Sequence, residues 1–123
     1  MSSTTPIEPR PLTELETSVV TELLSASGKA GAGDYLAQVP FTQVIGTWGE
    51  GSPSVDLRVP AGATAASDST SGIFIDGSVT DRKGAPIGEV ILWVEDGRLS
   101  AIEHTWYTDE RPKTLPDPSR IEI

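Results

Sequence analysis

The chain of 123 residues has no cysteine, one histidine, and only nine Lys and Arg residues against 18 Asp and Glu residues. The lack of cysteine excludes disulfides, thiolate nucleophiles and thiolate-bound metals. The formal net charge of −9 opposes binding to phosphate backbones, so we expect no nucleic-acid partner. The same charge favours the capture of a basic partner, although acidity also serves solubility alone.

Long apolar segments are also missing from the chain. No run approaches the roughly 20 residues that a membrane helix needs. The first residues, MSSTTPIEPRP, lack the basic-then-apolar pattern of a signal peptide. We therefore expect a cytoplasmic protein with no membrane partner. The length predicts one domain over residues 12–123, after a flexible arm over residues 1–11.

The segment after this arm has the pattern of an amphipathic helix. Thr13 and Glu16 have the spacing of a capping box, and Gly28 suits a left-handed helix end. Residues 34–39 fit a short second helix that Pro40 would end. Between the ends of the first helix, an apolar stripe recurs at helical spacing and consists of Leu15, Val19, Val20, Leu23 and Leu24.

The rest of the chain has the short runs that are typical of β-strands. Residues 60–71 are small and polar, which predicts a flexible surface loop. Because strands follow helices, we expect an α+β fold in which the N-terminal helix packs on a curved antiparallel meander of about five strands. The predicted strands are 41–48, 55–59, 73–81, 87–95 and 98–107, with residues 121–123 as a possible further edge strand.

Asp96-Gly97 between the last two long strands is a strong signal for a tight β-hairpin. A two-residue loop at this position places Glu95 opposite Arg98 and determines all later pairs. These pairs are Val94–Leu99, Leu92–Ala101, Ile91–Ile102, Glu89–His104 and Ile87–Trp106, and a loop at 82–85 adds Val79–Gly88 and Ile75–Leu92.

This register divides the predicted sheet into two faces. The first is aliphatic apart from Glu103 and should meet the helix; it carries Ile73, Ile75, Gly77, Val79, Val90, Leu92, Val94, Leu99 and Ala101. We expect Val19, Leu23, Ile75, Leu92 and Leu99 to be buried together. The second is mixed and carries Phe74, Asp76, Ser78, Ile87, Glu89, Ile91, Trp93, Ser100, Ile102, His104 and Trp106.

Apolar positions rimmed by polar ones are typical of a binding surface. The alternative is that the 60–71 loop, the C-terminal tail or a second copy covers this mixed face. On the first interpretation, tryptophans anchor the partner and acids steer its approach. The predicted binding surface consists of Phe74, Asp76, Glu89, Trp93, His104 and Trp106.

Signals for catalysis are sparse. His104 beside Glu89 has the composition of an acid–base pair, but a cross-strand pair of this kind is commonly only a salt bridge. The chain contains no metal-binding motif and no phosphate-binding loop. We therefore predict no catalytic residue, no metal and no cofactor.

Several segments between Tyr35 and Pro118 resemble a group of small, largely uncharacterised bacterial proteins with an α+β fold, especially actinobacterial ones. The matching segments are YLAQVP, the turn before PSVDLRV, and GEVILWVEDGRLSAIEHTWY followed by LPDP. Proteins of this group have several cysteines where this chain reads WGEGS at residues 48–52, so no metal or redox role is carried over. A further analogy, of size, charge and architecture, is to immunity proteins encoded beside secreted toxins.

Two functional hypotheses follow from these patterns. The leading one is a non-enzymatic binding protein, in particular an immunity- or antitoxin-like inhibitor of a basic protein. The alternative is a small cystatin-like or ketosteroid-isomerase-like enzyme or ligand-binding domain. It would use a pocket between helix and sheet, with His104, Glu89 or Asp76 as acid and base. A homodimer is also expected, because the strand at 98–107 is predicted to leave an open sheet edge.

Overall fold

The computed structural model describes residues 4–67 and 71–123, which form an antiparallel sheet with two α-helices against one of its faces. The helices are α1 (Glu14–Ala26) and α2 (Ala32–Gln38), and a 3-10 turn, Val39–Phe41, follows α2. A second 3-10 turn, Pro118–Arg120, lies near the C-terminus. The strands are β1 (Thr5–Pro11), β2 (Gln43–Thr47), β3 (Val55–Arg58), β4 (Gly72–Thr80), β5 (Pro86–Glu95), β6 (Arg98–Trp106) and β7 (Ile121–Glu122).

The predicted α+β class is confirmed, but the sheet has seven strands instead of five. Their order is β1-β2-β3-β6-β5-β4-β7, and every neighbouring pair is antiparallel. The sheet thus contains two meanders, β1–β3 and β4–β6, which meet where β3 pairs with β6. Because β6 lies inside the sheet, the open edge that motivated a dimer is not there.

Both ends of the chain add edge strands to the sheet. Residues 5–11 were expected in a flexible arm, but they form β1 and pair with β2. An edge strand tolerates the prolines of this segment, because one of its sides has no strand partner. The predicted C-terminal edge strand is confirmed as β7 on β4. Residues 1–3 of the predicted arm and 68–70 of the predicted loop lie outside the described residues.

Helix α1 begins and ends where the sequence predicts. The Thr13 hydroxyl accepts from the Glu16 backbone N–H at 3.1 Å, and the Glu16 carboxylate accepts from the Thr13 N–H at 2.8 Å. Gly28, just beyond the helix, has a φ of 63°. Arg10 in β1 donates two hydrogen bonds, at 2.8 and 3.0 Å, to the same Glu16 carboxylate. This ion pair fastens the N-terminal strand to the helix.

The core fills the space between α1 and the sheet. Gly77 in β4 marks the closest packing, because a Cβ there would lie 3.1 Å from Leu23 and would overlap Ile121. Side chains therefore occupy the place where the alternative function requires a pocket. The predicted cluster of Val19, Leu23, Ile75, Leu92 and Leu99 is buried together, as expected.

The β5–β6 hairpin has the predicted turn. Asp96 and Gly97 have φ angles of 51° and 76°, as a type I′ turn requires at both central residues. Glu95 pairs with Arg98, as predicted. The next predicted pair, Val94–Leu99, is also confirmed.

A β-bulge beyond this point changes the predicted faces. The register shifts by one residue, so Leu92 pairs with Ile102 and not with Ala101. His104 pairs with Val90 instead of a glutamate. A shift of one residue moves every later side chain of β6 to the opposite face. Ile102 and His104 consequently lie in the core.

Gln38, at the end of α2, holds the hairpin beside this bulge. Its amide group donates to the carbonyls of Gly97 at 2.8 Å and Thr64 at 3.1 Å. Its side-chain oxygen accepts from the Leu99 backbone N–H at 3.1 Å. Gln38 is only 1% exposed, so these hydrogen bonds satisfy a polar group inside the core.

Candidate functional site

The six residues predicted as one binding surface lie on two sides of the sheet. Asp76, Glu89 and Trp93 lie on the face that points away from the helices, which we call the outer face. The other three residues lie on the helix side. The predicted surface is therefore divided, and each displaced residue has its own physical reason.

Phe74 is displaced by a second β-bulge. Ile73 pairs with Trp93 and Ile75 pairs with Leu92, so Phe74 is the extra residue between them. Its ring packs edge-on against Tyr35, with 4.9 Å between the ring centroids. The prediction that Phe74 faces outward was wrong. Ile73 takes the outward position and is 53% exposed.

His104 is displaced by the bulge in the hairpin. It is 6% exposed, and its backbone N–H donates to the Ser54 hydroxyl at 2.9 Å. Burial lowers the pKa of its imidazole, and a hydrogen bond with the Thr114 backbone opposes this shift only in part. Glu89 lies on the opposite face, so the predicted His104–Glu89 pair does not form.

Trp106 also lies on the helix side, at the end of the sheet. It pairs with Gly88, two residues from the core residue Val90, so both positions share the core side. The indole is 41% exposed, and the Arg111 guanidinium lies 6.0 Å from its ring centroid. It contacts the C-terminal tail and lines a small hollow with Trp48 and Glu103, but it does not line the hollow between Trp48 and Trp93.

Two tryptophan–carboxylate pairs organise the outer face. The Trp48 indole N–H donates to the Asp56 carboxylate at 2.9 Å, and the Trp93 indole N–H donates to Glu103 at 3.0 Å. The Trp48–Asp56 pair joins the end of β2 to β3, and the Trp93–Glu103 pair joins β5 to β6. Each indole is therefore held in a fixed orientation. Between them lies a shallow hollow of about 360 Å³ with Ala101 in its lining. We call Trp48, Asp56, Trp93, Ala101 and Glu103 the tryptophan groove.

Free carboxylate oxygens surround this groove. Asp56 and Glu103 each use one oxygen for an indole, and within the described residues the second oxygen has no hydrogen-bond partner. Glu89 accepts from the Tyr107 hydroxyl at 3.0 Å. This hydrogen bond raises the pKa of the Tyr107 phenol, with smaller contributions from burial and nearby charge. Asp76 is exposed beside them on β4.

Positive charge near this side of the sheet comes from Arg111, which shares a small hollow with Trp48 and Glu103, and from the hairpin end. Arg58 and Arg98 lie there together with Glu95 and Asp96. The carboxylates of the tryptophan groove lie away from these arginines, along the middle of the strands. The middle of the outer face therefore presents the carboxylates of Asp56, Glu89 and Glu103 beside the Trp48 and Trp93 indoles.

Chain segments that were candidates to cover the mixed face lie elsewhere. The described part of the 60–71 loop bonds to α2 and the hairpin turn through Thr64 and Ala66. Thr114 and Leu115 of the tail pack on the helix side, beside His104. Within the described ranges, the loop touches the groove only at its rim, at Ser71.

The sequence analysis missed four members of the site, and it placed one of them, Ala101, on the face toward the helix because the bulge was not predicted. Asp56 alternates with the buried residues Val55 and Leu57, which is a signal for an outward side chain. Glu103 was assigned to the wrong face because the bulge was not predicted. Trp48 lies just beyond β2, and its neighbour on the sheet could not be inferred before the β2–β3 register was known.

Residues 4–67 and 71–123 contain no group of three His, Asp or Glu side chains arranged to hold a metal ion. In these same residues, the helices are too short or too polar to cross a membrane. Comparison with known proteins gives no matching family model, no matching curated protein and no matching solved structure. The resemblance to small actinobacterial proteins stays a prediction.

Proposed function

We propose that this protein is a non-enzymatic binding protein whose outer face docks a basic segment of a partner protein. The observation that carries the proposal is the tryptophan groove, in which two fixed indoles lie beside carboxylates with free oxygens. The sequence suggested Trp93 and Trp106 as the anchors; in this proposal Trp48, and not Trp106, is the second anchor beside Trp93.

The chemistry of the groove matches lysine and arginine side chains. A cation over an indole face contributes about 0.5–1 kcal/mol at an exposed site and more where water is excluded. A guanidinium or ammonium also donates strong hydrogen bonds to a carboxylate oxygen. The carboxylates that orient Trp48 and Trp93 thus double as acceptors for the partner. Side chains that are already fixed lose little entropy on binding.

Within this class, we propose an immunity- or antitoxin-like inhibitor that acts in the cytoplasm on a basic toxin. The net charge of −9 supports this choice, because it accelerates association with a partner of opposite charge. A toxin-domain gene immediately beside the gene for this chain is the expected genomic arrangement. A neighbourhood of metabolic enzymes alone would contradict the inhibitor role.

The docking surface is tested first with a defined basic probe, a nona-arginine peptide. The peptide is titrated into ¹⁵N-labelled protein, and the indole N–H resonances of Trp48 and Trp93 are followed. We expect both to shift with one saturating curve. The variant D56N/E103Q should weaken this binding at least tenfold, because an amide still accepts from the indole but carries no charge.

The matched control is E14Q/E22Q, which removes two acids from exposed positions of α1 and changes the net charge equally. It should weaken binding only slightly. Equal losses in the two variants would show that total charge, and not the outer face, attracts the peptide. Such a result would overturn the proposal.

The partner itself is tested with the product of the adjacent gene. We expect a one-to-one complex that Trp93→Ala disrupts and Trp106→Ala weakens much less, since Trp106 does not line the hollow between Trp48 and Trp93. Sedimentation at micromolar concentration tests a second copy as the occupant. A mass well above 13.0 kDa that Trp93→Ala reduces to 13.0 kDa would assign the face to a homodimer instead.

A further inference from the structure

A cavity of about 610 Å³ lies on the helix side of the sheet, at the end of β4–β6. A smaller hollow, lined by Trp106, Arg111, Trp48 and Glu103, connects its rim with the tryptophan groove. The C-terminal tail forms one wall as it passes over the end of β4–β6, and Leu115 is buried against the strands. His104 lies beside Thr114 in the lining, and its ring Nδ1 is buried without a hydrogen-bond partner within the described residues. The volume is typical of sites that hold small organic molecules.

Positive side chains line this cavity, although the chain as a whole is acidic. Four of the nine Lys and Arg residues are here, namely Arg82, Arg111, Lys113 and Arg120. Within the described part of the chain, their side chains have no hydrogen bond or ion pair. Their donors are therefore available to a bound anion.

Three acidic residues also line the cavity, and two of them, Asp81 and Asp117, shape local turns, whereas the Glu110 carboxylate makes no hydrogen bond within the described residues. The Asp81 carboxylate accepts from the backbone N–H groups of Lys83 and Ala85 at 2.8 and 3.0 Å and shapes the β4–β5 turn. The Asp117 carboxylate accepts from the backbone and hydroxyl of Ser119 at 2.9 and 2.7 Å. These hydrogen bonds hold both carboxylates in turns, and the charge of Asp117 also acts on Arg120. The four cations of the lining exceed its three carboxylates by one charge.

Apolar groups form the rest of the lining. Val79 and Leu115 are buried, Ile87 is half-buried, and the Trp106 indole lies at the side with Arg111 over its ring. A small hydrated anion without an apolar part would not contact these surfaces. A ligand with a flat or aliphatic body would cover them and bury apolar area.

We infer that this cavity binds a small organic anion, with its carboxylate or phosphate on the arginine and lysine side chains and its apolar body against Ile87, Trp106 and Leu115. The site is distinct from the hollow between Trp48 and Trp93, because the two share no lining residue. Arginine suits this role, since its planar fork matches carboxylate and phosphate oxygens with two hydrogen bonds.

The test uses four probes: 2-naphthoate, phenyl phosphate, inorganic phosphate and the neutral 2-naphthalenemethanol. His104 is the only histidine, so its ring resonances report on the cavity without ambiguity. We expect saturable shifts with 2-naphthoate or phenyl phosphate, and at least tenfold weaker binding of inorganic phosphate and the neutral alcohol. The preferred organic anion distinguishes a carboxylate from a phosphate ligand.

Arg82 and Lys83 provide a matched pair of variants. They are neighbours in one exposed turn, but only Arg82 lines the cavity. Arg82→Gln should weaken binding of the organic anion about tenfold, and Lys83→Gln should leave it within twofold. Arg120→Gln is a second variant on another wall and should behave like Arg82→Gln.

Three results would overturn the inference. One is the absence of saturable binding by both organic anions. A second is equal affinity for the neutral alcohol, which would mean that the cations contribute nothing. A third is an equal effect of Arg82→Gln and Lys83→Gln, which would indicate attraction by general surface charge. Binding that persists in D56N/E103Q separates this site from the tryptophan groove.

Discussion

The side-chain oxygen of Gln38 accepts a hydrogen bond at 3.1 Å from the backbone N–H of Leu99, a residue 61 positions later in the chain. The same side chain donates to the Gly97 carbonyl at 2.8 Å. Helix α2 is thereby attached to the turn and first residues of β6, next to the bulge that decides which β6 side chains face outward. A core amide thus supports the arrangement of the outer face.

Replacement of Gln38 by alanine should destabilise the protein by about 2–4 kcal/mol, because buried backbone groups of Gly97 and Leu99 lose their partners. Urea unfolding measures the change. Gln43→Ala is the control of the same residue type; its side chain accepts from Arg58 at an exposed position, and we expect a loss below about 1 kcal/mol. Similar losses in both variants would contradict the role assigned to Gln38.

Substitution by alanine should change stability in opposite directions at Gly88 and at Gly33. At Gly88, a Cβ would overlap the Thr105 backbone oxygen on the neighbouring strand, which cannot move without breaking the ladder. Gly88→Ala should therefore cost about 3 kcal/mol or more. Gly33 lies in α2 with open space at its Cβ position, so Gly33→Ala should stabilise by about 0.5–1 kcal/mol. Thermal unfolding of the two variants, recorded together, checks the sign of each change.

The ionisation of Glu16 makes the stability of the fold depend on pH in the acidic range. Burial opposes its ionisation, but hydrogen bonds from Arg10 and Thr13 outweigh this and lower its pKa below the ordinary 4.5. A lowered pKa means that the folded state binds the proton less well than the unfolded state. The stabilisation is therefore present above pH 4.5 and lost as the pH falls through the folded pKa.

Glu16→Gln should cost about 1–3 kcal/mol at pH 7 and flatten the stability profile below pH 4.5. Denaturant unfolding at a series of pH values measures this. Glu14→Gln, at an exposed position of the same helix turn, should keep the wild-type profile. If the stability of Glu16→Gln still falls below pH 4.5 as it does in the wild type, Glu16 is not the cause of this pH dependence.

His104 adds a second pH dependence at higher pH. Its lowered pKa means that the folded state prefers the neutral imidazole more than the unfolded state does. Its contribution is fully present above the unfolded pKa near 6.5 and is lost as the pH falls through the folded pKa. The His104 ring resonances should titrate below 6.5, and His104→Gln should remove the slope of stability in this range. A ring that titrates above 6.5 would contradict this sign.

Local signals in the sequence determined the limits of individual elements. The capping of α1 by Thr13 and Glu16 acts over three residues, and the Asp96-Gly97 turn acts over two. Such interactions depend on residues that are close together in the chain, so they can be predicted before the fold is known. The cluster of Val19, Leu23, Ile75, Leu92 and Leu99 followed from the same short periodicities and is buried as predicted, whereas Ile73 of the predicted aliphatic face is 53% exposed.

Tertiary structure alone decided which side chains form the candidate site. The bulge beside Gln38 inverted Glu103 and His104 relative to a regular hairpin, and the β2–β3 register brought Trp48 to Asp56. These outcomes depend on contacts between residues far apart in the chain. A one-residue shift in register costs little locally, but it moves every later side chain of that strand to the opposite face of the sheet. For this reason the fold class was predictable from sequence, and the composition of its outer face was not.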